Sequence, residues 1–182
     1  MWRRKIFFWV LGLGLLLPAP LIRAQSSQPT EPQLKAAFLY NFAKFTDWPS
    51  NAFTTAESPF VIGIFGDNPF GKDLEQAVVG KKISEHPMTI RMFRTTTDIT
   101  NCHLLFINPA EKASFPKVIE ALRGSAVLTV SETDDFITAG GMINFVKQAN
   151  KIRFQINDET AKEARLKISS RLLGLAISTS RG

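Results

Sequence analysis

Three short, continuous apolar segments constrain the fold of this chain more than any other feature. They are Phe60–Phe65 (FVIGIF), residues 102–107 (CHLLFI) and residues 126–130 (AVLTV). Continuous apolar runs of this length are typical of strands that are buried on both faces of a parallel sheet. Segments with helical periodicity separate them, at 70–79 and 114–122. This alternation predicts a single α/β domain, with a mostly parallel sheet flanked by helices on both faces.

The C-terminal third of the chain adds a hairpin and a helix to this prediction. Apolar residues in 142–146 and 152–156 indicate an antiparallel hairpin at one edge of the sheet. In the second run, apolar residues alternate with Arg153 and Gln155, so one face should meet water. A last helix is expected to start at Asn157 or Asp158, with Ile168, Leu172 and Leu175 on its apolar side.

The first 24 residues have the three-part pattern of a secretory signal peptide. Arg3, Arg4 and Lys5 precede the apolar run 6–17, and the small residue Ala24 ends the segment. The run is shorter than the ~20 apolar residues that a transmembrane helix needs. We therefore expect a signal peptide over 1–24, a flexible tail over 25–33, a domain over 34–177 and a frayed end over 178–182. The cleaved protein should be soluble and periplasmic.

Export changes what the charge balance implies. The whole chain has 182 residues, with 22 Lys and Arg against 16 Asp and Glu, and a formal net charge of +6. Four basic residues and no acidic ones lie in 1–24, so the remaining 158 residues carry a net charge of +2. That positive excess is too small for a surface that binds the phosphate backbone of a nucleic acid, and we expect no nucleic-acid partner.

Six segments together resemble the YfiR-like family of periplasmic proteins. Besides 102–107 they are 35–49 (KAAFLYNFAKFTDWP), 127–136 (VLTVSETDDF), 140–145 (GGMINF), 150–157 (NKIRFQIN) and 166–173 (LKISSRLL). The resemblance implies a repressor that holds an inner-membrane diguanylate cyclase, or another membrane sensor, inactive by protein–protein binding. It also implies a homodimer and sequestration by an OmpA-like outer-membrane lipoprotein, which releases cyclic di-GMP signalling and biofilm formation. A periplasmic small-ligand-binding module that serves a sensor kinase or a transporter is the alternative, and an unrecognised enzyme is the third reading.

The single cysteine departs from the family pattern. Better-known members carry paired cysteines, whereas here Cys102 has no partner, and Gly63 and Ile64 occupy the first buried strand. An internal disulfide is therefore excluded, and packing must supply the ~2–4 kcal/mol that a bridge contributes. We expect a buried thiol that behaves as a small apolar residue; an intermolecular bridge or a redox sensor is the alternative.

The residues that could carry catalysis do not form a recognisable constellation. Cys102 and His103 are neighbours on a predicted strand, so their side chains should point to opposite faces and cannot form a dyad. His86 precedes Pro87 and is expected in an exposed turn. The adjacent acids Asp134 and Asp135 suit a helix start better than a metal site. We expect no enzyme activity, no metal and no cofactor.

Polar residues follow the predicted buried strands and mark the place where a small ligand would bind. Open parallel sheets bind ligands beyond the carboxyl ends of their strands. The residues predicted to line this crevice are Asp67, Asn68, Asn108, Ser131 and Glu132.

The first predicted helix, over 34–48, is the candidate for protein contacts. Leu34 begins an apolar stripe at helical spacing that continues with Phe38, Phe42, Phe45 and Trp48. Core burial is the default interpretation of such a stripe. The alternative is that Phe38, Phe42, Phe45 and Trp48 form a partner or dimer surface.

Overall fold

The computed structural model describes residues 28–97 and 99–177. The predicted signal peptide over 1–24, the start of the predicted tail and the predicted frayed end over 178–182 lie outside the described residues. None of the helices formed by the described residues combines the length and the apolar content needed to cross a bilayer.

The first helix, α1, spans Glu31–Lys44. The Thr30 hydroxyl accepts a hydrogen bond from the Gln33 N–H, and the Gln33 side-chain oxygen accepts one from the Thr30 N–H at 3.1 Å. This reciprocal cap explains why the helix begins ahead of the predicted Leu34. The helix ends at Lys44 rather than at residue 48, because Thr46–Asp47 form a short strand, β1.

Seven further strands form the main sheet. They are β2 Phe60–Phe65, β3 Lys82–Ile83, β4 His86–Phe93, β5 Leu104–Ile107, β6 Leu128–Ser131, β7 Ile143–Gln148 and β8 Lys151–Ile156. Their order across the sheet is β3-β4-β2-β5-β6-β7-β8, and the five central strands are parallel. The predicted mostly parallel sheet with an antiparallel hairpin at one edge is confirmed, with β8 on β7. A second antiparallel pair, β3 on β4, closes the other edge.

Helices cover both faces of this sheet, as the continuous apolar strands predicted. They are α1, α2 Asp73–Val78, α3 Phe115–Ala121, α4 Asp158–Glu163 and α5 Ser170–Leu173. Residues of α1, α2, α4 and α5 share one core cluster with Phe106 and Val130. On the other face, Val118 of α3 shares a second cluster with Leu105 and Ile107.

The prediction of one long last helix is wrong. Arg165 adopts a left-handed conformation, with φ of 63°, which ends the helical path after α4. Lys167–Ile168 then form a ninth strand, β9, which pairs antiparallel with β1 in a two-stranded sheet. The Ser169 hydroxyl accepts a hydrogen bond from the Leu172 N–H at 3.3 Å and starts α5. Ile168 and Leu172 are buried, but Leu175 is 60% exposed.

Candidate functional site

The carboxyl ends of β2 and β5 meet where the strand order reverses. The chain passes from β2 to β4 on one side and later crosses to β5 on the other side. Phe65 and Ile107 pair at the ends of these two strands. Asp67, Asn68 and Asn108, which follow the strands, therefore lie at the same edge of the sheet. Such switch points are the usual ligand-binding place in open α/β sheets.

The polar side chains at this edge bind other parts of the same loops. The Asn108 side-chain amide donates to the Asp67 carbonyl at 2.8 Å, and its oxygen accepts from a backbone N–H two residues on. The Asn68 side-chain oxygen accepts from the Phe70 N–H at 2.9 Å. The Asp67 carboxylate lies 2.7 Å from Arg94 Nη1 at the surface. These contacts connect the polar residues of this edge to the protein's own loops, while the Asp67 side chain stays exposed.

Ser131 and the turn after β2 fill the remaining space at the switch point. The Ser131 hydroxyl donates to the Ile107 carbonyl at 2.8 Å and is fully buried. Gly66 has a φ of 91°, and a Cβ there would lie 2.8 Å from Cγ of Glu111, whose side chain covers the turn. Asp67, Asn68, Asn108 and Ser131 thus all have partners within the chain. Ligand binding by them stays a prediction.

Glu132, the fifth predicted crevice residue, pairs with a lysine of α1. The Lys35 ammonium contacts the Glu132 carboxylate and lies 2.7 Å from Glu31 Oε1. Lys147 of β7 lies 3.2 Å from the other carboxylate oxygen of Glu31. The Lys35 side chain is 10% exposed, against 30% for Glu132 and 43% for Glu31. We call these four residues the charge cluster; it joins the start of α1 to the ends of β6 and β7.

Hydrogen bonds determine the protonation states in the charge cluster. Burial favours the neutral amine of Lys35, but hydrogen bonds to Glu132 and Glu31 outweigh it and raise the pKa of Lys35. Hydrogen bonds from Lys35 and Lys147 lower the pKa of Glu31. A lysine acting as nucleophile needs a lowered pKa. The geometry therefore suits attraction between α1 and the sheet rather than chemistry on a substrate.

Sequence analysis did not single out Lys35, although a signal was present. Lys35, Leu39 and Phe42 recur at the i, i+4, i+7 spacing of one helix face. In the structure all three are buried. A lysine on such a face needs an anionic partner, because an unpaired buried charge is costly.

Both histidines stack on the ring of Phe53, at the opposite end of the sheet. The centroid of the His86 ring lies 3.6 Å away and that of His103 4.5 Å away, with interplanar angles of 2° and 21°. Phe60 and Trp48 also lie against His103, at 4.9 and 6.1 Å. His86 is half-buried rather than exposed, because it begins β4 and contacts Phe53. No three metal-ligating side chains come together within residues 28–97 and 99–177.

The four aromatic residues predicted as a partner surface separate in the structure. Phe42 is fully buried in the core and is not available at the surface. Phe38 and Phe45 are half-buried, and the Arg171 guanidinium lies 5.3 Å from the centre of the Phe45 ring. Trp48 is half-buried and lies beyond the end of α1. Of these four residues, Phe38, Phe45 and Trp48 therefore remain accessible to a partner.

Cys102 is buried, and the space for a second cysteine is occupied. Its thiol donates to the Ile99 carbonyl at 3.0 Å, and burial raises its pKa to about 12. A Cβ on Gly63 would lie 3.0 Å from the Cys102 sulfur, but also 2.7 Å from Phe93 and 2.8 Å from Leu105. The rings and methyls of those neighbours fill the position that a partner side chain would need.

A separate cavity lies away from the predicted crevice. It has a volume of about 670 Å³ and lies between α3, α4 and the turn before β7. Ile119, Leu122 and Met142 contribute apolar surface, while Arg123 and Glu163 contribute opposite charges. Its size is within the range of small-molecule pockets. Sequence analysis missed it, because its walls come from elements far apart in the chain.

Comparison with protein families places nearly all of the described residues in one match. A family model described as YfiR/HmsC-like matches residues 32–177. The match includes Lys35, Glu132 and Lys147 of the charge cluster and both histidines. No curated protein matches the chain.

Proposed function

Because the chain belongs to the YfiR/HmsC-like family, we propose that it is a periplasmic protein that represses a membrane-bound diguanylate cyclase by binding it. The family match over 32–177 is the observation that carries this proposal. Family members are regulatory rather than catalytic. The export pattern of residues 1–24 is compatible with a regulator outside the cytoplasm.

Repression by binding requires a difference in affinity between two states of the cyclase. The regulator binds the inactive conformation of the periplasmic sensor region more tightly and so increases its population. A difference of about 3 kcal/mol shifts the equilibrium about a hundredfold. A few well-placed apolar and arginine side chains supply differences of that size at protein interfaces.

The side of α1 that faces α5 is the surface we assign to the partner. Phe45, just after α1, retains partial exposure there, and Arg171 of α5 lies over its ring. Phe38 is also half-buried and packs against Phe145 and Phe154 of the sheet. Leu175, just after α5, is 60% exposed. Aromatic and arginine side chains are enriched at protein interfaces, and an exposed leucine beside them extends the apolar area. The homodimer and the OmpA-like lipoprotein that the resemblance implies are further partners for this surface.

A deletion and rescue experiment tests repression and its surface together. Removing the gene should raise cellular cyclic di-GMP, and the wild-type gene should restore the low level. The Leu175→Ser variant should restore it poorly, whereas Val79→Ser, which changes a residue that is 75% exposed after α2, should restore it fully. An unchanged cyclic di-GMP level in the deletion strain would rule out repression of a cyclase. Equal rescue by both variants would rule out the surface.

The cavity between α3 and α4 favours a second candidate, a small-ligand-binding module for a sensor kinase or a transporter. Its volume of about 670 Å³ and its mixed apolar and charged lining suit a small amphiphilic molecule. A thermal-shift screen of amino acids, nucleosides and sugars tests this. A true ligand raises the melting temperature of the wild type but not of Ala139→Trp, in which an exposed lining residue is enlarged to fill the cavity. No stabilisation by any compound would count against this function.

A further inference from the structure

The segment between β1 and β2, residues 48–59, is fastened to the sheet by the two histidines. His86 begins β4, and its Nδ1 lies 2.7 Å from the Ser58 carbonyl. His103 directly precedes β5, and its Nε2 lies 2.9 Å from the Ala52 carbonyl. Phe53, between those two carbonyls in sequence, stacks on both imidazoles. Three residues of one segment, Ala52, Phe53 and Ser58, thus depend on contacts with two imidazole rings.

The contacts of His103 require its neutral form. Nδ1 accepts a hydrogen bond from the Val61 N–H at 3.0 Å, so this nitrogen carries no proton. Nε2 faces the Ala52 carbonyl and therefore carries the proton. A second proton, on Nδ1, would place two donors, the Nδ1–H of His103 and the N–H of Val61, against each other at hydrogen-bond distance. The ring can accept that proton only by moving away from Val61, and such a movement also loosens its contacts with Ala52 and Phe53.

The surroundings of His103 do not compensate a positive charge. His103 is 8% exposed. Repulsion from a positive charge on His86 would further lower the pKa of His103. The hollow of about 310 Å³ beside Phe53 and His86 is bordered by Lys44 of α1, Asp47 of β1 and Lys82 of β3, and the Lys82 ammonium lies 3.5 Å from the Glu85 carboxylate. The partners of the His103 ring itself are a backbone N–H, a backbone carbonyl and aromatic rings rather than a carboxylate, so protonation favours an open arrangement in which the imidazole reaches water.

We propose that His86, His103 and Phe53 form a pH-sensitive latch, which holds the segment over 48–59 closed at neutral pH and releases it in acid. Release uncovers the ring of Phe60 at the amino end of the sheet, on which Trp48 and Phe53 of the segment pack. Under the export that the sequence predicts, the protein meets the pH of the surrounding medium, so the latch makes an apolar surface respond to that pH. The contacts described above carry this proposal by themselves, independently of cyclase repression.

The direction of the pH response follows from linkage. Burial, before all other causes, lowers the pKa of His103, although its bond to the Ala52 carbonyl opposes this. The open segment therefore takes up the proton more readily than the closed one. The closed form is fully favoured above the ordinary imidazole pKa of about 6.5. Below that pH, the ratio of closed to open protein falls by up to about tenfold per pH unit. The loss continues until the pH reaches the lowered pKa of the closed form.

Two measurements on the purified protein test the latch. The chain contains two histidines, so selective ¹⁵N labelling gives two sets of ring signals, which His86→Asn assigns. At pH 8, His103 should show the tautomer with the proton on Nε2. Between pH 6.5 and 5, amide hydrogen exchange in residues 50–57 should accelerate, after correction for the intrinsic rate, while protection of β5 and β6 stays constant. Unchanged protection of 50–57 across this range would refute the proposal.

Matched asparagine variants separate the two histidines. In His103→Asn the amide oxygen can accept the Val61 N–H bond but does not titrate, so the acid response of 50–57 should disappear. In His86→Asn the amide can still donate to the Ser58 carbonyl, and the acid response should persist. An equal response in His103→Asn and the wild type overturns the proposal. If His103→Asn does not fold, the His86→Asn protein, which keeps only His103, provides the test. In it, proton uptake by His103 and loss of amide protection in residues 50–57 must have the same pH midpoint. Different midpoints would overturn the latch.

Discussion

Replacing Lys35 with methionine tests whether the charge cluster fastens α1 to the sheet. Methionine keeps most of the apolar stem and removes the ammonium, so the helix face loses little packing. Glu132 then loses its cation, and its buried Oε2 has no hydrogen-bond partner apart from that ion pair. The free energy of unfolding should fall because a partly buried carboxylate is left uncompensated.

The exposure of the two carboxylates determines the size of this effect. Removing one partner of a fully buried pair costs about 3–5 kcal/mol. Glu132 is 30% exposed and can turn partly toward water, and Glu31 retains Lys147. We therefore expect a loss of about 2–3 kcal/mol, below the full-burial range. For a domain of this length that corresponds to a decrease of about 5–10 °C in melting temperature.

Urea unfolding followed by circular dichroism measures this loss in a small set of variants. Lys147→Met is the matched control, because Lys147 is 59% exposed and contacts the same Glu31; its effect should stay within about 0.5 kcal/mol. Adding Glu132→Gln to Lys35→Met removes the uncompensated carboxylate charge. The double variant should therefore regain about 1 kcal/mol or more of the free energy of unfolding. If Lys35→Met and Lys147→Met are equally stable, or if the double variant recovers nothing, the reasoning about the cluster is refuted.

Four further outcomes follow from individual contacts. Gly141→Ala should destabilise by about 3 kcal/mol in the same urea assay, because its Cβ would lie 2.3 Å from the ring of Phe136; a neutral effect would contradict that packing. Phe42→Ala should cost about 3–5 kcal/mol, since the ring is fully buried, and a loss below 1 kcal/mol would place it at the surface. Iodoacetamide at pH 8 should leave Cys102 unmodified in the folded protein and label it in urea, as mass spectrometry would show; rapid labelling of the folded protein contradicts burial. The lowered pKa of Glu31 adds stability above about pH 4.5, and this stability is lost as the pH falls through the pKa of the folded protein. Glu31→Gln should therefore make the urea midpoint less dependent on pH between pH 5 and 3. An unchanged pH dependence would contradict the shift.

The central sheet could be predicted because its signal is local. Phe60–Phe65 is apolar at every position and forms a strand buried at every position. The strand predicted over 102–107 is shorter in the structure and spans Leu104–Ile107. His103 directly precedes it and stacks on the ring of Phe60. Parallel order followed from the helices between the strands, because a parallel connection needs a crossover.

The C-terminal segment shows why other parts could not be predicted. Ile168 and Leu172 recur at helical spacing, so the pattern favours one helix. In the structure Ile168 lies on β9 and pairs with Thr46 of β1. A two-residue strand has no periodicity of its own, and its partner lies at the other end of the domain.

The residues of the predicted crevice follow strands that end at one edge of the sheet, but whether a ligand binds there stays a prediction. Asp67 and Asn108 meet because the carboxyl ends of parallel strands share an edge. Whether those groups face a ligand or each other depends on loop geometry, which composition does not encode. Lys35 was overlooked for the same reason, since its partner Glu132 is distant in the chain.

The sequence by itself determined the α/β class, the buried strands, the family resemblance and the impossibility of an internal disulfide. Each of these depends on residue identity or on periodicity over a few neighbouring positions. Only the tertiary structure decided which groups meet: Lys35 with Glu132, and Phe53 with His86 and His103. Electrostatic and stacking contacts act over a few ångströms in space, and residues far apart in the chain come within that distance only when the sheet brings their elements together.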